Sequence, residues 1–505
     1  MTETYYLSTA IDYGNAPPHI GHAYEKICAD CAARWHRMQG KDVFFLTGTD
    51  ENAQKVYKAA TAQGADPRTF VEATSQKFRE LCRALNITND RFIRTSEPDH
   101  IAASQHAFQT IWDKGDIYKG HYEGYYCTGC EAFYAKKDLE DGRCPTHGVT
   151  CELLKEENYF FRMGNYQDRL LDHFEKHPDF IIPTHRTNEV LNRIKEGLQD
   201  LSVSRPTVDW GIPVPTDDTH VIYVWIDALM NYLSGIGYPD DAYMHYWPAD
   251  GHVIGKDIMW FHAVIWPCIL MAIDVELPKH VYVHGFWHSG DAKMSKTTGN
   301  VVDPFELIET YGADSLRYFL LRETPFGQDG NFTIEALVSR LNAELANELG
   351  NLLHRTLAML RKYYSGTVPA PAEAGSPDDE LRAVAEAAPS ALRQSIESYD
   401  FSVGLTEIWK LIRRANKYVE ETEPWTLAKT EKNERLDTVM YNLCECVRLA
   451  SVLLEPFIPT TASRIRNQLG VGERTGLFDD ESAWGLTKAG TVTSPGAPLF
   501  PKVEL

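Results

Sequence analysis

The sequence contains no apolar run long enough to cross a membrane. A transmembrane helix needs about 18 consecutive apolar residues or more, and no segment of this chain approaches that length. The first residues, Met1 to Thr4, also lack the basic region and apolar core of a secretion signal. We therefore expect a protein that is neither secreted nor membrane-spanning.

Cysteine is scarce, with 10 in 505 residues. Most of these cysteines lie in apolar surroundings or in close pairs, which suits a reducing compartment better than a disulfide framework, and we expect a cytoplasmic protein. An excess of positive charge is absent too, because the net charge is −21. This charge argues against nucleic-acid binding by the surface as a whole, although residues 410–417 are locally basic and permit an RNA-facing surface.

Composition and pattern predict an α/β protein of two or three domains. Strand-like runs such as residues 43–46 alternate with helix-like runs such as residues 70–85, as in a Rossmann-like, doubly wound parallel sheet. Residues 116–215 interrupt this pattern and are interpreted as an inserted connective domain. Strand-like sequence resumes at residues 220–226, 252–254 and 280–286.

An all-α helical bundle is predicted to follow the sheet domain. From Thr333 onward, one apolar stripe has helical spacing, and it consists of Leu337, Leu341, Leu345, Leu349 and Leu352. The predicted domains are 1–115 and 216–332 for the two halves of the sheet domain, 116–215 for the insertion, 333–470 for the bundle, and 471–505 for a segment that packs back on the body.

The inserted segment contains a metal-binding pattern at about residues 120–155. Cys127 and Cys130 are followed, after 13 residues, by Cys144-Pro145-Thr146-His147, which is the spacing of a small structural zinc knuckle. Cys151 competes for the fourth ligand position. Cys28 and Cys31 have the same spacing as the first pair, but no second pair lies near them, and we interpret them as core.

Two short motifs indicate an ATP phosphate site. Residues 19–22, His-Ile-Gly-His, follow a strand-like run and a turn and begin an amphipathic helix, whose first N–H groups favour an anion. Gly21 has no Cβ and lets a flat base pack on the backbone. Residues 293–297, Lys-Met-Ser-Lys-Thr, lie in a glycine-bracketed loop that we expect to close on phosphates.

These motifs resemble the signatures of class I aminoacyl-tRNA synthetases, and the chain resembles the methionyl-tRNA synthetases, in the bacterial form with one zinc knuckle, over nearly its whole length. The resemblance extends to residues 10–18 (AIDYGNAPP), 44–51 (FFLTGTDE), 223–232 (YVWIDALMNY) and 255–262 (GKDIMWFH). It implies a methionine–tRNA ligase, which forms methionyl-adenylate and pyrophosphate from methionine and ATP and then charges the 3′-terminal adenosine of tRNA(Met).

The resemblance also implies roles for individual residues. The catalytic residues are His19, His22, Lys293 and Lys296. The ATP site, with its Mg²⁺, comprises His19, Gly21, His22, Glu25, Gly255, Asp257, Lys293, Ser295 and Lys296. The methionine site comprises Ala10, Ile11, Tyr13, Asp50, Trp225, Leu229, Tyr232, Ile258 and His262. The zinc ligands are Cys127, Cys130, Cys144 and His147.

The helical domain is expected to read the anticodon CAU. The residues that match the family's anticodon-reading positions are Asn347, Asn351, Arg355, Pro424 and Trp425. The first three are spaced by four on one predicted helix and form a polar ridge, and an indole can stack on an unpaired base.

The chain departs from the family pattern at three places. Thr297 replaces a serine and keeps the hydroxyl, and Leu229 is proline in some relatives. Asn52 and Ala53 stand where many relatives have His-Gly, which affects the surroundings of the predicted ammonium site.

Other functions were weighed. Leucyl, isoleucyl and valyl enzymes have a larger insertion between the two motifs, and a cysteinyl enzyme places its metal in the amino-acid pocket. A small nucleotidyltransferase would lack the helical domain. Another class I synthetase or a non-catalytic tRNA-binding relative is the alternative, although both motifs are intact. Because no appended oligonucleotide-binding domain follows, we expect a monomer.

Overall fold

The computed structural model describes residues 2–127, 132–134, 139–145, 148–206, 210–289, 292–293, 302–429, 433–494 and 496–504. Its strands are β1 (Thr4–Thr9), β2 (Asp12–Tyr13), β3 (Asp42–Asp50), β4 (Arg91–Arg94), β5 (Ile117–Cys127), β6 (Ala132–Tyr134), β7 (Glu152–Phe161), β8 (Ile181–Ile182), β9 (Leu201–Ser202), β10 (Ser204–Pro206), β11 (Pro213–Val214), β12 (Asp217–Ile222), β13 (Gly251–Gly255), β14 (Val281–His284), β15 (Trp287–Ser289), β16 (Ala292–Lys293) and β17 (Gly330–Phe332).

The helices are α1 (Ile20–Met38), α2 (Gln54–Ala62), α3 (Pro67–Ala84), α4 (Pro98–Asp113), α5 (Gln167–Lys176), α6 (Thr187–Lys195), α7 (Val224–Ser234), α8 (Trp266–Ala272), α9 (Pro304–Tyr311), α10 (Ala313–Glu323), α11 (Ile334–Arg340), α12 (Asn351–Tyr364), α13 (Ser376–Glu397), α14 (Phe401–Thr422), α15 (Pro424–Leu427), α16 (Asn433–Leu454), α17 (Pro459–Leu469) and α18 (Phe478–Glu481). Two π-helical segments, Phe261–Ile265 and Leu341–Gly350, precede α8 and α12.

The central sheet is parallel, as the sequence pattern predicted. Its strand order is β2-β3-β1-β13-β14-β8, and β4 pairs with β3 between Leu46 and Thr49. Leu7 of β1 lies opposite Phe45 of β3 on one side and Gly251 of β13 on the other. The chain therefore adds β3 on one side of β1 first and β13 on the other side later. In such sheets, ligands bind beyond the carboxyl ends of the strands, at the point where the strand order reverses.

Two apolar cores cover the two faces of the sheet. The first core joins α1 and residues of β1 and β3 to the helices of the C-terminal half without interruption. The second core lies against α4, α7 and α8. Strands covered on both faces have near-continuous apolar sequences, which explains why β1 and β3 were recognisable.

The inserted region has its own antiparallel sheet, in the order β6-β5-β7-β9. It also contributes β8, which pairs with β14 of the central sheet. The range 116–215, predicted as an insertion, therefore contains one strand of the main sheet. That strand has two residues, and a pattern so short gives no periodicity to recognise.

One boundary differs from its prediction. Residues 220–226 were expected to form a strand, but β12 ends at Ile222 and α7 begins at Val224. A continuous apolar run of this length fits a buried strand and a buried helix equally well. The error arises because all residues of α7 are buried, so the helix has no exposed face.

The C-terminal half is helical, and the predicted leucine stripe is buried. Leu337, Leu341, Leu345, Leu349 and Leu352 are all core residues. None of the described helices is long and apolar enough to span a bilayer.

A buried arginine joins the sheet domain to the helices. Arg317 of α10 has no exposed surface and pairs with Asp30 of α1 at 2.8 Å. It also donates to the carbonyl oxygens of Leu85, Pro456 and Phe457. Four chain segments therefore meet at one guanidinium group.

The last segment of the chain is attached to α16 by a buried carboxylate. Glu445 accepts hydrogen bonds from the N–H groups of Gly485, Leu486 and Thr487 at 2.7, 3.1 and 2.9 Å. Burial alone would raise the pKa of Glu445, but these donors and Arg448 hold it below its usual range.

Candidate active site

The predicted site residues gather at the carboxyl edge of the central sheet. Ala10 and Ile11 follow β1, Asp50 ends β3, and Asp257 follows β13. These strands are neighbours at the reversal of strand order. Residues from both halves of the sequence therefore meet where a doubly wound sheet binds its ligands.

The two motif histidines cap α1. The Gly21 N–H donates to His19 Nδ1 at 3.1 Å, and the His19 N–H donates to His22 Nδ1 at 3.0 Å. The two imidazole rings stack with their centroids 3.7 Å apart. Because each Nδ1 accepts a backbone hydrogen, the ring hydrogen of a neutral imidazole is assigned to Nε2. Two Nε2–H groups and the helix N-terminus can then donate to an anion.

Two glycines leave space for side chains that were predicted to belong to the ATP site. A Cβ on Gly21 would lie 2.9 Å from His19 Cε1, and a Cβ on Gly255 would lie 2.7 Å from Asp257 Oδ1. Both distances are shorter than real Cβ contacts allow. A larger residue at either position would displace the His19 ring or the Asp257 carboxylate.

A buried charge cluster lies next to the histidine motif, and the sequence analysis missed most of it. Lys26 Nζ lies 2.5 Å from Asp12 Oδ2 and 3.8 Å from Glu25 Oε1. Glu25 Oε2 lies 3.2 Å from His284 Nε2 at the end of β14. Burial alone would lower the pKa of Lys26, but the two carboxylates outweigh it and raise that pKa. The cluster attaches α1 to the sheet edge. The available signal in the sequence was the adjacent pair Glu25-Lys26 in the first two turns of α1.

The base of the lysine loop is described, whereas most of the loop is not. Lys293 ends β16, which pairs with β15 so that His288 lies opposite Lys293. Ser295 and Lys296 lie outside the described residues. At this base, Asp329 pairs with Lys256, the neighbour of Asp257, at 2.6 Å. Burial alone would raise the pKa of Asp329, but Lys256, the Phe286 N–H and His288 lower it to about 2.

The apolar residues predicted to bind methionine fall in two adjoining clusters. Ala10, Leu229 and Tyr232 belong to one, and Trp225 belongs to the other together with Tyr13. Both clusters contact Ile258 and Phe261, and Ile11 packs against the first. The Trp225 and Phe261 rings stack 3.4 Å apart, so Phe261 is an addition to the predicted set.

His262 is neutral at the bottom of this apolar surface. Burial lowers the pKa of His262 to about 4. Its Nδ1 donates to the Ile258 carbonyl at 2.9 Å, and its Nε2 therefore accepts from the Tyr232 hydroxyl at 2.7 Å. His262 therefore adds no charge to this apolar surface.

Asp50 supplies a buried carboxylate next to these clusters. It has an exposed fraction of 1%, and Tyr13 lies opposite it in the pairing of β2 with β3. The N–H of Asn52 donates to Asp50 Oδ1 at 3.2 Å. Asn52, one of the departures from the family pattern, therefore contacts the carboxylate directly.

Three cysteines of the inserted segment lie together. Cys127, Cys144 and Cys151 form one small buried cluster. Burial raises the pKa of the Cys151 thiol to about 11, and Cys127 and Cys144 add to the rise. The predicted ligands Cys130 and His147 lie outside the described residues. Among the residues described, no group of three His, Cys, Asp or Glu side chains is arranged to hold a metal ion.

The predicted anticodon residues occupy one side of the helical half. Asn347 and Asn351 are exposed, Arg355 and Trp425 are partly exposed, and Pro424 is buried. The Arg355 guanidinium carbon lies 5.9 Å from the Trp425 ring centroid. Asn347 lies in the π-helical segment, whose wider turn shifts it relative to the α-helical ridge that was predicted.

The locally basic segment 410–417 is not a free basic surface. Lys410 pairs with Glu407, Arg413 with Glu348, and both Arg414 and Lys417 with Glu421. Each cation has a carboxylate partner within 3.2 Å. The structure therefore gives this segment little excess positive charge.

Comparison with protein families identifies two matched regions. Residues 5–151 and 135–357 match the family described as tRNA synthetases class I (M). Residues 368–504 match the anticodon binding domain of methionyl tRNA ligase. Together the two matches include the histidine motif, the lysine loop and Trp425.

Similar proteins cover the whole chain. The methionine–tRNA ligase of Caldanaerobacter subterraneus subsp. tengcongensis is 48% identical over 100% of this chain and 80% of its own length. That of Brucella suis is 46% identical over 99% of this chain and 98% of its own length. The Mycobacterium tuberculosis methionyl-tRNA synthetase in complex with methionyl-adenylate superposes with a TM-score of 0.96, at 44% identity and covering 99% of this chain and 100% of that one.

Proposed function

The chain belongs to the methionyl-tRNA synthetases of class I, and from this premise we propose which of its residues carry each step. The protein is a methionine–tRNA ligase. It joins methionine to ATP, giving methionyl-adenylate and pyrophosphate, and transfers methionine to the 3′-terminal adenosine of tRNA(Met). The observation that supports the proposed assignments best is the stacked pair of imidazoles at the N-terminus of α1, the helix that follows β1 and β2.

His19, His22, Lys293 and Lys296 bind the ATP phosphates in this proposal. The Nε2–H groups of the two histidines donate to phosphate oxygens, and the N-terminus of α1 adds its N–H groups. Mg²⁺ accompanies ATP and neutralises part of the phosphate charge. The methionine carboxylate is already ionised when it attacks the α-phosphate, so no general base is needed. The residues act by positioning and by stabilising charge.

The remaining ATP contacts come from the ends of the central strands. Asp257 binds the ribose hydroxyls, and Gly255 leaves room for its carboxylate. Gly21 lets adenine pack on the backbone between the imidazoles. Ser295 joins the phosphate contacts from the lysine loop. Glu25 lies near the ATP and tRNA-end site, held by His284.

The methionine ammonium meets the Asp50 carboxylate, and the thioether enters the apolar surface. Aromatic rings make favourable contacts with sulfur, and Tyr13, Trp225 and Tyr232 supply them. Neutral His262 keeps the end of the surface uncharged. Ala10, Ile11, Leu229 and Ile258 complete the apolar lining.

Pyrophosphate exchange tests these assignments. Labelled pyrophosphate should enter ATP with methionine but not with leucine, isoleucine, valine or cysteine. His22→Ala should lower the exchange kcat by about 100-fold or more, because it removes a preorganised donor to the transition state. His245→Ala, an exposed histidine elsewhere, should leave the rate unchanged. An unchanged rate in His22→Ala would contradict the phosphate assignment.

We propose one structural Zn²⁺, held by Cys127, Cys130, Cys144 and His147. The buried grouping of Cys127 and Cys144 supports this, and the same grouping leaves Cys151 as a competing ligand. Metal analysis of purified variants separates the two ligand sets. Loss of zinc in His147→Ala with retention in Cys151→Ala supports His147; the opposite pattern assigns the fourth position to Cys151. Cys82→Ala, a buried cysteine of α3, is the control.

The helical half binds the anticodon loop of tRNA(Met) through Asn347, Asn351, Arg355, Pro424 and Trp425. Partial exposure of the Trp425 ring beside Arg355 suits stacking of an unpaired base. Trp425→Ala should raise KM for tRNA by about 5- to 150-fold, since stacking on one base contributes about 1–3 kcal/mol. Pyrophosphate exchange, which needs no tRNA, should be unaffected. Trp484→Ala is the matched control.

We propose a cytoplasmic monomer with the domains 1–115, 116–215, 216–332, 333–470 and 471–505. Sedimentation of the full chain should give a mass near 57.2 kDa. A mass of twice that value would contradict the monomer.

A further inference from the structure

Helix α7 has two faces with different contacts. Trp225, Leu229 and Tyr232 share one face, because they are spaced four and three residues apart. Asp227 lies on the opposite face, in the first turn, with no exposed surface. A buried carboxylate is costly unless hydrogen bonds compensate it. Its partners therefore define what the rear of α7 is attached to.

Asp227 is attached to α4. Its Oδ1 accepts a hydrogen bond from His100 Nε2 at 2.7 Å, since a carboxylate can only accept. His100 is also fully buried, and its Nδ1 lies 2.8 Å from the hydroxyl of Ser234 at the far end of α7. His100 thus holds both ends of α7 against α4.

Asp227 is also attached to the segment that follows β3. Its Oδ2 accepts from Asn52 Nδ2 at 2.9 Å, and the same amide group donates to the Thr95 carbonyl at 3.1 Å. The backbone N–H of Asn52 donates to Asp50 Oδ1 at 3.2 Å. A single residue therefore contacts both the carboxylate of Asp50 and the anchor of α7.

We propose that Asn52 is a positioning residue for the amino-acid substrate, fixing the Asp50 carboxylate relative to the side-chain pocket on α7 through Asp227. The inference rests on the proposed role of Asp50 at the methionine ammonium. Methionine bridges the two subsites, and binding groups must be held within a fraction of an ångström for full affinity. ATP binds at β13 and α1 and does not depend on this spacing.

Asn52→Ala tests the proposal by steady-state pyrophosphate exchange with the full chain. Asn52→Ala keeps the backbone N–H that contacts Asp50 but loses the side-chain bonds to Asp227 and Thr95. KM for methionine should therefore rise about 10- to 100-fold, as expected when binding groups are misplaced, while KM for ATP stays within about twofold. If a substitution weakens binding of the ground state and of the transition state equally, KM rises and kcat is not lowered. Asn442→Ala removes a buried amide from the helical half and should leave both KM values unchanged.

Asn52→His separates positioning from general loss of packing. An imidazole N–H can still donate to Asp227, so this variant should recover most of the methionine affinity. Asn52→Asp places a second carboxylate beside Asp227 and should be worse than Asn52→Ala.

Direct binding identifies the subsite affected. Two ligands are compared: methioninol, which carries the ammonium group, and its analogue without the amino group, the amine-free alcohol. Asn52→Ala should weaken methioninol binding by at least tenfold and leave binding of the amine-free alcohol within about twofold.

Equal effects on methionine and ATP, or a change in stability alone, would overturn the proposal. If Asp50→Asn leaves methionine KM unchanged, the ammonium assignment itself is wrong; if Asp50→Asn raises it and Asn52→Ala does not, only the role of Asn52 is wrong.

Discussion

Replacing the buried Arg317 by methionine should destabilise the protein where the sheet domain meets the helices. Arg317 has no exposed surface, and Asp30 lies 2.8 Å from it, also fully buried. Removing one partner of a buried ion pair leaves the other charge uncompensated and costs about 3–5 kcal/mol. Three carbonyl oxygens lose a donor as well. We therefore expect the free energy of unfolding to fall by at least about 3 kcal/mol.

Arg34 provides a matched control, since it pairs with the same carboxylate. Its Nε lies 2.7 Å from Asp30 Oδ2, but its side chain is 15% exposed. Asp30 keeps Arg317 as a partner when Arg34 is removed, so Arg34→Met should cost only about 1 kcal/mol. The free energies come from urea unfolding followed by circular dichroism.

A double substitution separates the ion pair from the loss of packing. Arg317→Met combined with Asp30→Leu should be less destabilising than the sum of the single substitutions, by about 1–3 kcal/mol. Burial alone would raise the pKa of Asp30, but Arg317 and Arg34 hold it below its usual range. Its contribution is therefore present above pH 4 or so and is lost as the pH falls. Strict additivity, or a cost for Arg317→Met no greater than for Arg34→Met, would refute the reasoning.

Three further outcomes follow from groups described above. Glu445→Gln should speed hydrogen exchange at residues 485–487, because the amide accepts fewer hydrogen bonds than the carboxylate; unchanged exchange would contradict the attachment. The pKa of Asp329 is about 2, so the stability from its pair with Lys256 should be present above about pH 4 and decline toward pH 2, and this decline should be absent in Asp329→Asn. The pKa of His262 is about 4, so the Kd of methionine should stay constant from pH 8 to 6; a tenfold weakening in that range, measured by calorimetry, would show a charged imidazole.

The strands and the main helices were predictable because their sequences repeat a simple pattern. Residues 252–254 were expected to be a strand and lie within β13, and residues 280–286, also expected to be a strand, contain β14. The leucine stripe was buried as expected. Where a pattern was short or an element was buried on all sides, prediction failed: β8 has two residues, and α7 has no exposed face.

The candidate site could be predicted from the sequence where a local motif marks the residues, as at His19 and Gly21, whose roles stay predictions. It was not predictable where a residue works through a distant partner. Lys26 and Asp12 are separated by a turn and part of a helix, and Asn52 and Asp227 by 175 positions. No local spacing links such pairs, because the fold alone brings them together. The π-helical turns around Asn347 were also hidden, since nothing in the sequence marks the wider turn.

The strand order determines when the sheet can be completed during synthesis. β1 pairs with β3 early, but its other neighbour, β13, begins at Gly251. At about 5–20 residues per second, the 241 residues between Thr9 and Gly251 take roughly 12–48 s to appear. During that interval the backbone N–H and C=O groups on one side of β1 lack a neighbouring strand and can pair with a strand of another chain. Slow-growing nascent chains, rather than the finished enzyme, are therefore the form of this protein most exposed to aggregation.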